Sequence, residues 1–418
     1  MWRRFLFILK LFYKIKFILK NPEKHEMVIF DDIALYDLEN LISEYNFFVQ
    51  QNRIERITKV YLTFKVIKYF FKNYNGNIMT AYLVSLLEII RPKIVLTNIF
   101  NSLKFYDLAR ILDKKIIFIA IQNGAQYEIK KYKHLYKAKK VNSDMSKNIY
   151  IPHFFCFGQF EIDQHKEDKI EVKNFFKAGS LNTANFFHYI KKDKILLKKD
   201  LYDICLISDP IDLGIDKQFG ISTIEKGFAK TIKYTIEFCK RHKMKMIFAW
   251  KRSEKREAES FKEELNFYKK YFTNIEINYL LSNSLEEKDR STPYRNNNYK
   301  VMFQSQVVVA TYSTMLREYL GTGGKVLSCN MTSSDIFDFP IKGICSIKDC
   351  TFEEFEKKLS NIFSISQEEY FEKLGKDKNY LMEYDKEIST IEIIRKKIDS
   401  FLANEPSDKK STIENYAF

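Results

Sequence analysis

The segment 307–330, VVVATYSTMLREYLGTGGKVLSCN, holds a Ser-Thr pair, an acid and three glycines at spacings that suit an anion site. An apolar β-branched run ends at Ala310-Thr311, and Ser313 and Thr314 stand where a helix would begin. Hydroxyls at that position cap the helix, and the free backbone N–H groups beside them can hold phosphate. Glu318 lies one turn further in, and Gly321, Gly323 and Gly324 end the helix before Lys325-Val326-Leu327. A plain strand, capped helix and strand would give the same pattern without a ligand. Lys251-Arg252, after a run ending in Trp250, and Asp209-Pro210, after the run 204–207, are further groups that could face a phosphorylated ligand.

Other pieces suit a second, hydroxyl-bearing ligand. Gln122-Asn123-Gly124 closes the apolar run 115–121, where glycine permits a tight turn and close backbone approach. Asn-Gly suits a simple strand-end turn equally well. Gly179-Ser180 ends the run 172–177 and either lines a cleft or turns the chain. Activating a hydroxyl needs a base within reach. Asp31, Asp32 and Glu128 are the acids at strand ends, and capping the next helix is the competing role for Asp31 and Asp32. The six histidines form no HxxxH pair, which argues against a zinc hydrolase. No GxGxxG follows a strand, no Walker A pattern occurs and no DxD ends a strand, so neither a nicotinamide enzyme nor metal-dependent chemistry is expected.

These pieces must be positioned by strands that end on a common side. Short β-rich apolar runs alternate with helical stretches, the pattern of parallel sheets. Strands are predicted at 25–30, 46–49, 93–97, 115–121, 153–157 and 172–177, and again at 202–207, 245–250, 276–279, 307–310, 326–328 and 343–346. Helices are predicted at 55–73, 78–90, 102–112, 222–241, 253–272, 313–321, 351–361, 366–374 and 384–402. The alternation runs twice with a polar break near 185–200, and 418 residues exceed what one hydrophobic core supports. The expected division is a basic amphipathic helix at 1–24, Rossmann-like domains at 25–190 and 191–380, and a helix with a tail at 381–418. Two such domains put ligands at the carboxyl ends of the strands, in the crevice between them.

The net charge is +15, from 69 basic and 54 acidic residues. Arg3, Arg4, Lys10, Lys14, Lys16 and Lys20 fall among Phe, Leu, Ile, Tyr and Trp with no acid in the first twenty residues. No apolar run there can span a bilayer, and the charge spacing does not suit a signal peptide. The segment either lies as an amphipathic helix on an anionic membrane surface or packs on its own domain with lysines outward. A second basic stretch, 130–147, is a solvated loop or a patch facing a phosphate-bearing lipid or the membrane. With no reader motif among the lysines, nucleic acid is not an expected partner. The six cysteines show no CxxC spacing and sit mostly in apolar runs, as buried thiols in a reducing cytosol do.

Ser313-Thr314-Met315-Leu316-Arg317-Glu318, followed by Gly324-Lys325-Val326-Leu327, resembles a segment that many GT-B glycosyltransferases carry in their nucleotide-sugar half. The resemblance implies phosphate contacts for Ser313 and Thr314 and a nucleotide contact for Glu318, with Asp209, Lys251 and Arg252 lining the same donor site. The first half is similar to bacterial surface carbohydrate biosynthesis proteins of capsule and lipopolysaccharide assembly. The matching pieces, in order, are Val28-Ile29-Phe30-Asp31-Asp32, Arg91-Pro92-Lys93-Ile94-Val95-Leu96-Thr97, Ile121-Gln122-Asn123-Gly124, Phe155-Cys156-Phe157-Gly158 and Lys177-Ala178-Gly179-Ser180. What this implies is an α/β protein of the GT-B class, two Rossmann-like domains facing across a cleft, with the acceptor in 25–190 and the donor in 191–380. The implied activity is metal-independent transfer of a sugar from a nucleotide-sugar donor to a surface polysaccharide or lipopolysaccharide acceptor. The donor would be a CMP-linked acidic sugar or a UDP or GDP hexose, acting as co-substrate with no cofactor. The acceptor would be a glycan or lipid-linked glycan, met at the inner face of the cytoplasmic membrane through residues 1–20. A polyol-phosphate transferase of teichoic-acid type and a non-catalytic assembly partner share the fold and remain alternatives.

Overall fold

A computed structural model describes residues 15–53, 56–125, 149–209, 221–251, 258–285, 294–332, 334–375 and 378–403. Within them the chain begins on a short strand, β1 (Lys16–Ile18), that pairs in parallel with β4 (Lys59–Tyr61). The expected 1–24 helix is therefore wrong at 16–18, and residues 1–14 lie outside the described residues. The helix expected at 55–73 likewise gives way to β4 and begins only at Phe64, where Thr63 accepts the Val66 N–H and caps it.

Two larger sheets form the body. The first contains β2 (Met27–Phe30), β3 (Phe47–Gln50), β5 (Ile94–Thr97), β6 (Ile117–Ile121), β7 (Tyr150–Cys156) and β8 (Glu171–Lys177), in the spatial order β3-β2-β5-β6-β7-β8. The second contains β9 (Tyr202–Ile207), β10 (Met246–Ala249), β11 (Ser305–Ala310), β12 (Lys325–Asn330) and β13 (Ser346–Lys348), in the order β10-β9-β11-β12-β13. Every pairing in both is parallel. The central strands β2 and β5 are short apolar runs buried at every residue, and so is β10 at the edge of the second sheet. In each sheet the second strand lies outside the first, so the order reverses between β2 and β5 and between β9 and β11. Ligands of doubly wound sheets bind at that reversal.

Helices cover both faces. The first sheet has one core around Phe30, Phe105, Phe118 and Phe154 and another around Leu38, Leu41, Ile29 and Phe155. The second core, built on Val307–Val309, Ile204, Phe238 and Phe248, also takes in Phe186 from the helix Leu181–Lys192. The last described helix, Thr390–Ala403, returns to the first half, where Ile391, Ile394 and Ile398 pack with Leu38, Leu41 and Leu181. Two smaller corrections concern the second half. Residues 276–279, expected as a strand, lie in the helix Asn274–Ser282, opened by a reciprocal cap between Thr273 and Glu276. The last strand lies at Ser346–Lys348 and not at 343–346.

Candidate functional site

In the second half, the carboxyl ends of β9 and β11 carry Ser208-Asp209 and Thr311-Tyr312-Ser313. Asp209 closes the gap between them: its Oδ2 accepts the backbone N–H groups of Thr311 and Tyr312, both at 3.0 Å. The helix Thr314–Gly321 starts directly after them, and its N-cap Ser313 accepts the Met315 N–H at 3.3 Å. The turn thus holds a side-chain carboxylate on two backbone N–H groups, directly before a helix start. Burial pushes the Asp209 pKa up to about 6, against the pull of Lys251 and of the two amides. Lys251 is exposed just past β10. Arg252 lies outside the described residues.

The sign of this shift is checkable. A carboxyl whose folded pKa lies above its unfolded value binds more protons folded than unfolded between about pH 4 and 6. Its contribution to stability is therefore lost as pH rises through that window. Asp209→Asn, which keeps an oxygen for the two amides, should melt higher than the parent protein at pH 7 and gain about half as much at pH 5. Equal gains at both values in thermal scans would show that the carboxylate is not held against burial.

The two halves are joined beside this turn by buried polar contacts. Thr314 Oγ1 accepts the Ala125 N–H from the first half at 2.8 Å. Gln122, buried, accepts the Phe157 N–H at 2.7 Å and donates to Glu161 at 3.1 Å. Glu161 in turn pairs with Arg317 of the second half at 2.8 Å, and side-chain exposures of 3% and 2% make this a fully buried ion pair. Burial raises the Glu161 pKa, opposed first by the Arg317 guanidinium and then by the Gln122 bond. Glu318 is buried as well. One carboxylate oxygen accepts the Ser180 hydroxyl and the other the Tyr299 hydroxyl, the latter at 2.6 Å. Both carboxylate oxygens of Glu318, the residue expected at the nucleotide, are thus engaged within the protein, one of them across the two halves.

Ser180 also caps the helix Leu181–Lys192 through the Thr183 N–H. Gly179, at φ +79°, lies so close to the returning backbone at Glu383 that a Cβ would stand 2.2 Å from its carbonyl oxygen. Its glycine is required by that passage, a packing role beside the lining role expected. Asn123 is exposed and its carbonyl accepts from Asn182 at 3.3 Å, while Gly124 lies against the Thr314 hydroxyl.

At the first half's reversal, Asp31 and Asp32 separate in role. Asp31 is buried at φ +81°, caps the turn Asp32–Ala34 through the Ile33 N–H, and pairs with Arg53 at 2.6 Å. Both oxygens are engaged, so Asp31 is the cap. Asp32 pairs with Arg56 through Oδ2 at 3.0 Å, while its Oδ1 has no hydrogen-bond partner among the described residues. Asn52 Nδ2 and Asn98 Oδ1 share that state, so the carboxyl ends of the adjacent strands β3, β2 and β5 each present an unpartnered buried polar atom. Glu128 lies outside the described residues. Among the described residues no group of three or more His, Cys, Asp or Glu side chains could hold a metal ion, and all six cysteines are free and buried. His153 and His165 are packed among aromatic rings, and burial lowers both to about 4.

The residues missed from sequence are Glu161, Arg317 and Tyr299, whose partners are 156 and 19 positions away. Arg317 stands inside the singled-out motif, and the adjacent opposite charges Arg317-Glu318 between two buried strands were the available signal.

No protein-family description matches the chain, and no curated protein is similar to it in sequence. Solved structures do match its shape. S. aureus MnaA, in its co-structure with UDP, shares 11% identity over 92% of this chain and 100% of its own, with a TM-score of 0.52. The wall teichoic acid polymerase TagF shares 10% identity over 91% of this chain and 90% of its own, at a TM-score of 0.48. A glycosyltransferase from Rickettsia africae shares 11% over 92% and 100%, at 0.44. The fold is GT-B, an α/β arrangement of two Rossmann-like domains.

Proposed function

We propose that the chain is a glycosyltransferase that moves a sugar from a nucleotide-sugar donor to a surface polysaccharide or lipopolysaccharide acceptor. The observation that carries this reading is the Ala125–Thr314 hydrogen bond, which brings the loop after Gln122-Asn123-Gly124 against the anion-holding turn of the second half. A donor phosphate at that turn and an acceptor at the first sheet's strand ends then share one crevice. The UDP in S. aureus MnaA, a protein of the same fold, supports a nucleoside diphosphate as the leaving group.

In the reaction an acceptor hydroxyl oxygen forms a bond to the anomeric carbon while the bond from that carbon to the donor phosphate oxygen breaks. The hydroxyl proton passes to a base, for which Asp32 is the candidate. The phosphate carries away the electron pair, and its charge is met by the Thr311 and Tyr312 amides, the helix start at Ser313 and Lys251. Asp209 must yield its place on the amides when phosphate arrives. The unpartnered polar atoms of Asp32, Asn52 and Asn98 suit a polyhydroxylated acceptor. Work on a lipid-linked glycan would place the protein at the inner face of the cytoplasmic membrane, held there through residues 1–20.

Calorimetric titration of the full chain with CMP, UDP and GDP tests the donor site and names its class. One nucleotide should bind clearly more tightly than the others, and silence from all three with folded protein removes the proposal. Incubation with the matching nucleotide sugar then separates chemistries: product that forms without an acceptor would mark an epimerase.

A further inference from the structure

Sixteen large hydrophobic side chains are exposed among the described residues, and eight of them fall within 17–19 and 62–78: Phe17, Leu19, Leu62, Phe64, Ile67, Phe71, Tyr74 and Ile78. Phe64 is 85% and Phe71 72% exposed. The clustering follows from local structure. On the helix Phe64–Asn73, at about 100° per residue, Phe64, Ile67 and Phe71 form one stripe and Lys65, Lys68 and Lys72 the stripe beside it. Only Val66 of this helix is fully buried. Leu62 donates its N–H to Ile18 O at 2.9 Å, which sets Phe17 and Leu19 alongside. Lys16, Lys20 and Lys59 are exposed around the patch, and residues 59–78 contain no acid. Next to it, between β3, β4 and the helix Ile78–Ile90, lies a cavity of about 370 Å³ whose wall mixes Phe47, Phe48, Tyr61, Tyr82 and Leu86 with the polar Gln50, Gln51, Thr58 and Lys59.

We infer that this face docks on a lipid bilayer carrying anionic phospholipid: the aromatic stripe enters the acyl boundary and the lysine stripe meets the phosphates. Charge complementarity selects this occupant. An apolar stripe next to a lysine stripe fits an anionic interface even with Lys72 beside Glu88 and Lys20 beside Glu23, whereas a second copy of the same face would oppose lysine to lysine. The inference does not depend on the nucleotide chemistry, and it adds a folded surface to whatever residues 1–20 contribute.

The test uses the full chain and two variants that keep residues 1–20: Phe64→Ser with Phe71→Ser, and Lys65→Gln with Lys68→Gln and Lys72→Gln. Partition is measured onto vesicles of phosphatidylcholine with about 30% phosphatidylglycerol, and onto phosphatidylcholine alone. The parent should bind the anionic vesicles and release in high salt. The lysine variant should bind about a hundredfold more weakly, at roughly a tenfold loss for each 1.4 kcal/mol and ~1 kcal/mol per lysine. The aromatic variant should lose on the order of tenfold or more. The exposed positions should leave the thermal midpoint almost unchanged, and nucleotide binding intact. Equal partition of all three proteins, or none by the parent, overturns the inference. So does a sedimenting dimer that the aromatic variant dissolves, since the face would then belong to a second copy.

Discussion

Arg317→Met should destabilise the protein by about 3–5 kcal/mol, the usual cost of removing one partner of a fully buried ion pair. The loss comes less from the missing attraction than from Glu161, which keeps Gln122 and the Gly158 N–H but is left as a buried carboxylate without a counter-charge. A second change separates these two contributions. Glu161→Gln in the Arg317→Met background should restore a large part of the loss, because a neutral amide needs no counter-ion. Denaturant unfolding of the three variants measures this directly. A single variant that unfolds like the parent, or a double variant no better than the single, would show that the pair is not a joint between the halves. The same joint fixes the distance from the anion turn to the first half, so the destabilised variant should also turn over more slowly where it remains folded.

Asp32→Asn should lower turnover by about 10²–10⁴-fold and leave nucleotide affinity nearly unchanged, as removal of a base does. Asp31→Asn should behave differently: its carboxylate holds the Ile33 amide and Arg53, so the change should appear as lost stability, with turnover per folded molecule close to normal. Steady-state rates and calorimetry on both variants distinguish the two. If Asp32→Asn turns over normally, the base lies elsewhere, with Glu128 next to be changed.

The buried strands of both sheets were legible, the half-exposed Ser346–Lys348 less so, because buried parallel strands need continuous apolar runs, and Met27–Phe30, Ile94–Thr97 and Val307–Val309 are such runs. The failures occurred where apolar content was read without its punctuation. Ile275–Leu281 has strand-like composition, yet Thr273 and Glu276 spell a reciprocal helix cap three residues apart. Thr63 similarly marks the true start of the helix expected at 55–73. In the site, Ser313 at the helix start was legible because capping is local. Glu318 was not, because its role depends on Ser180, 138 positions earlier, and nothing in either neighbourhood announces the other. Asp31 and Asp32 were indistinguishable as adjacent letters. Their difference rests on which arginine each meets and on the positive φ at Asp31.

The return of Thr390–Ala403 to the first half has a consequence for synthesis on the ribosome. The groove between Leu35–Ile42 and Leu181–Lys192 is filled by Ile391, Ile394 and Ile398, about 200 residues further along, so at common elongation rates it waits roughly 10–40 s for its cover. During that interval the nascent first half presents an apolar furrow to anything that binds nascent chains, and a ribosome stalled in the second half would leave it so indefinitely. A shortened gene product ending near residue 200 is accordingly expected to be sticky rather than a free-standing domain. Supplying the 390–403 peptide separately should cover this furrow and reduce the stickiness, although Phe186 stays bare without the second half.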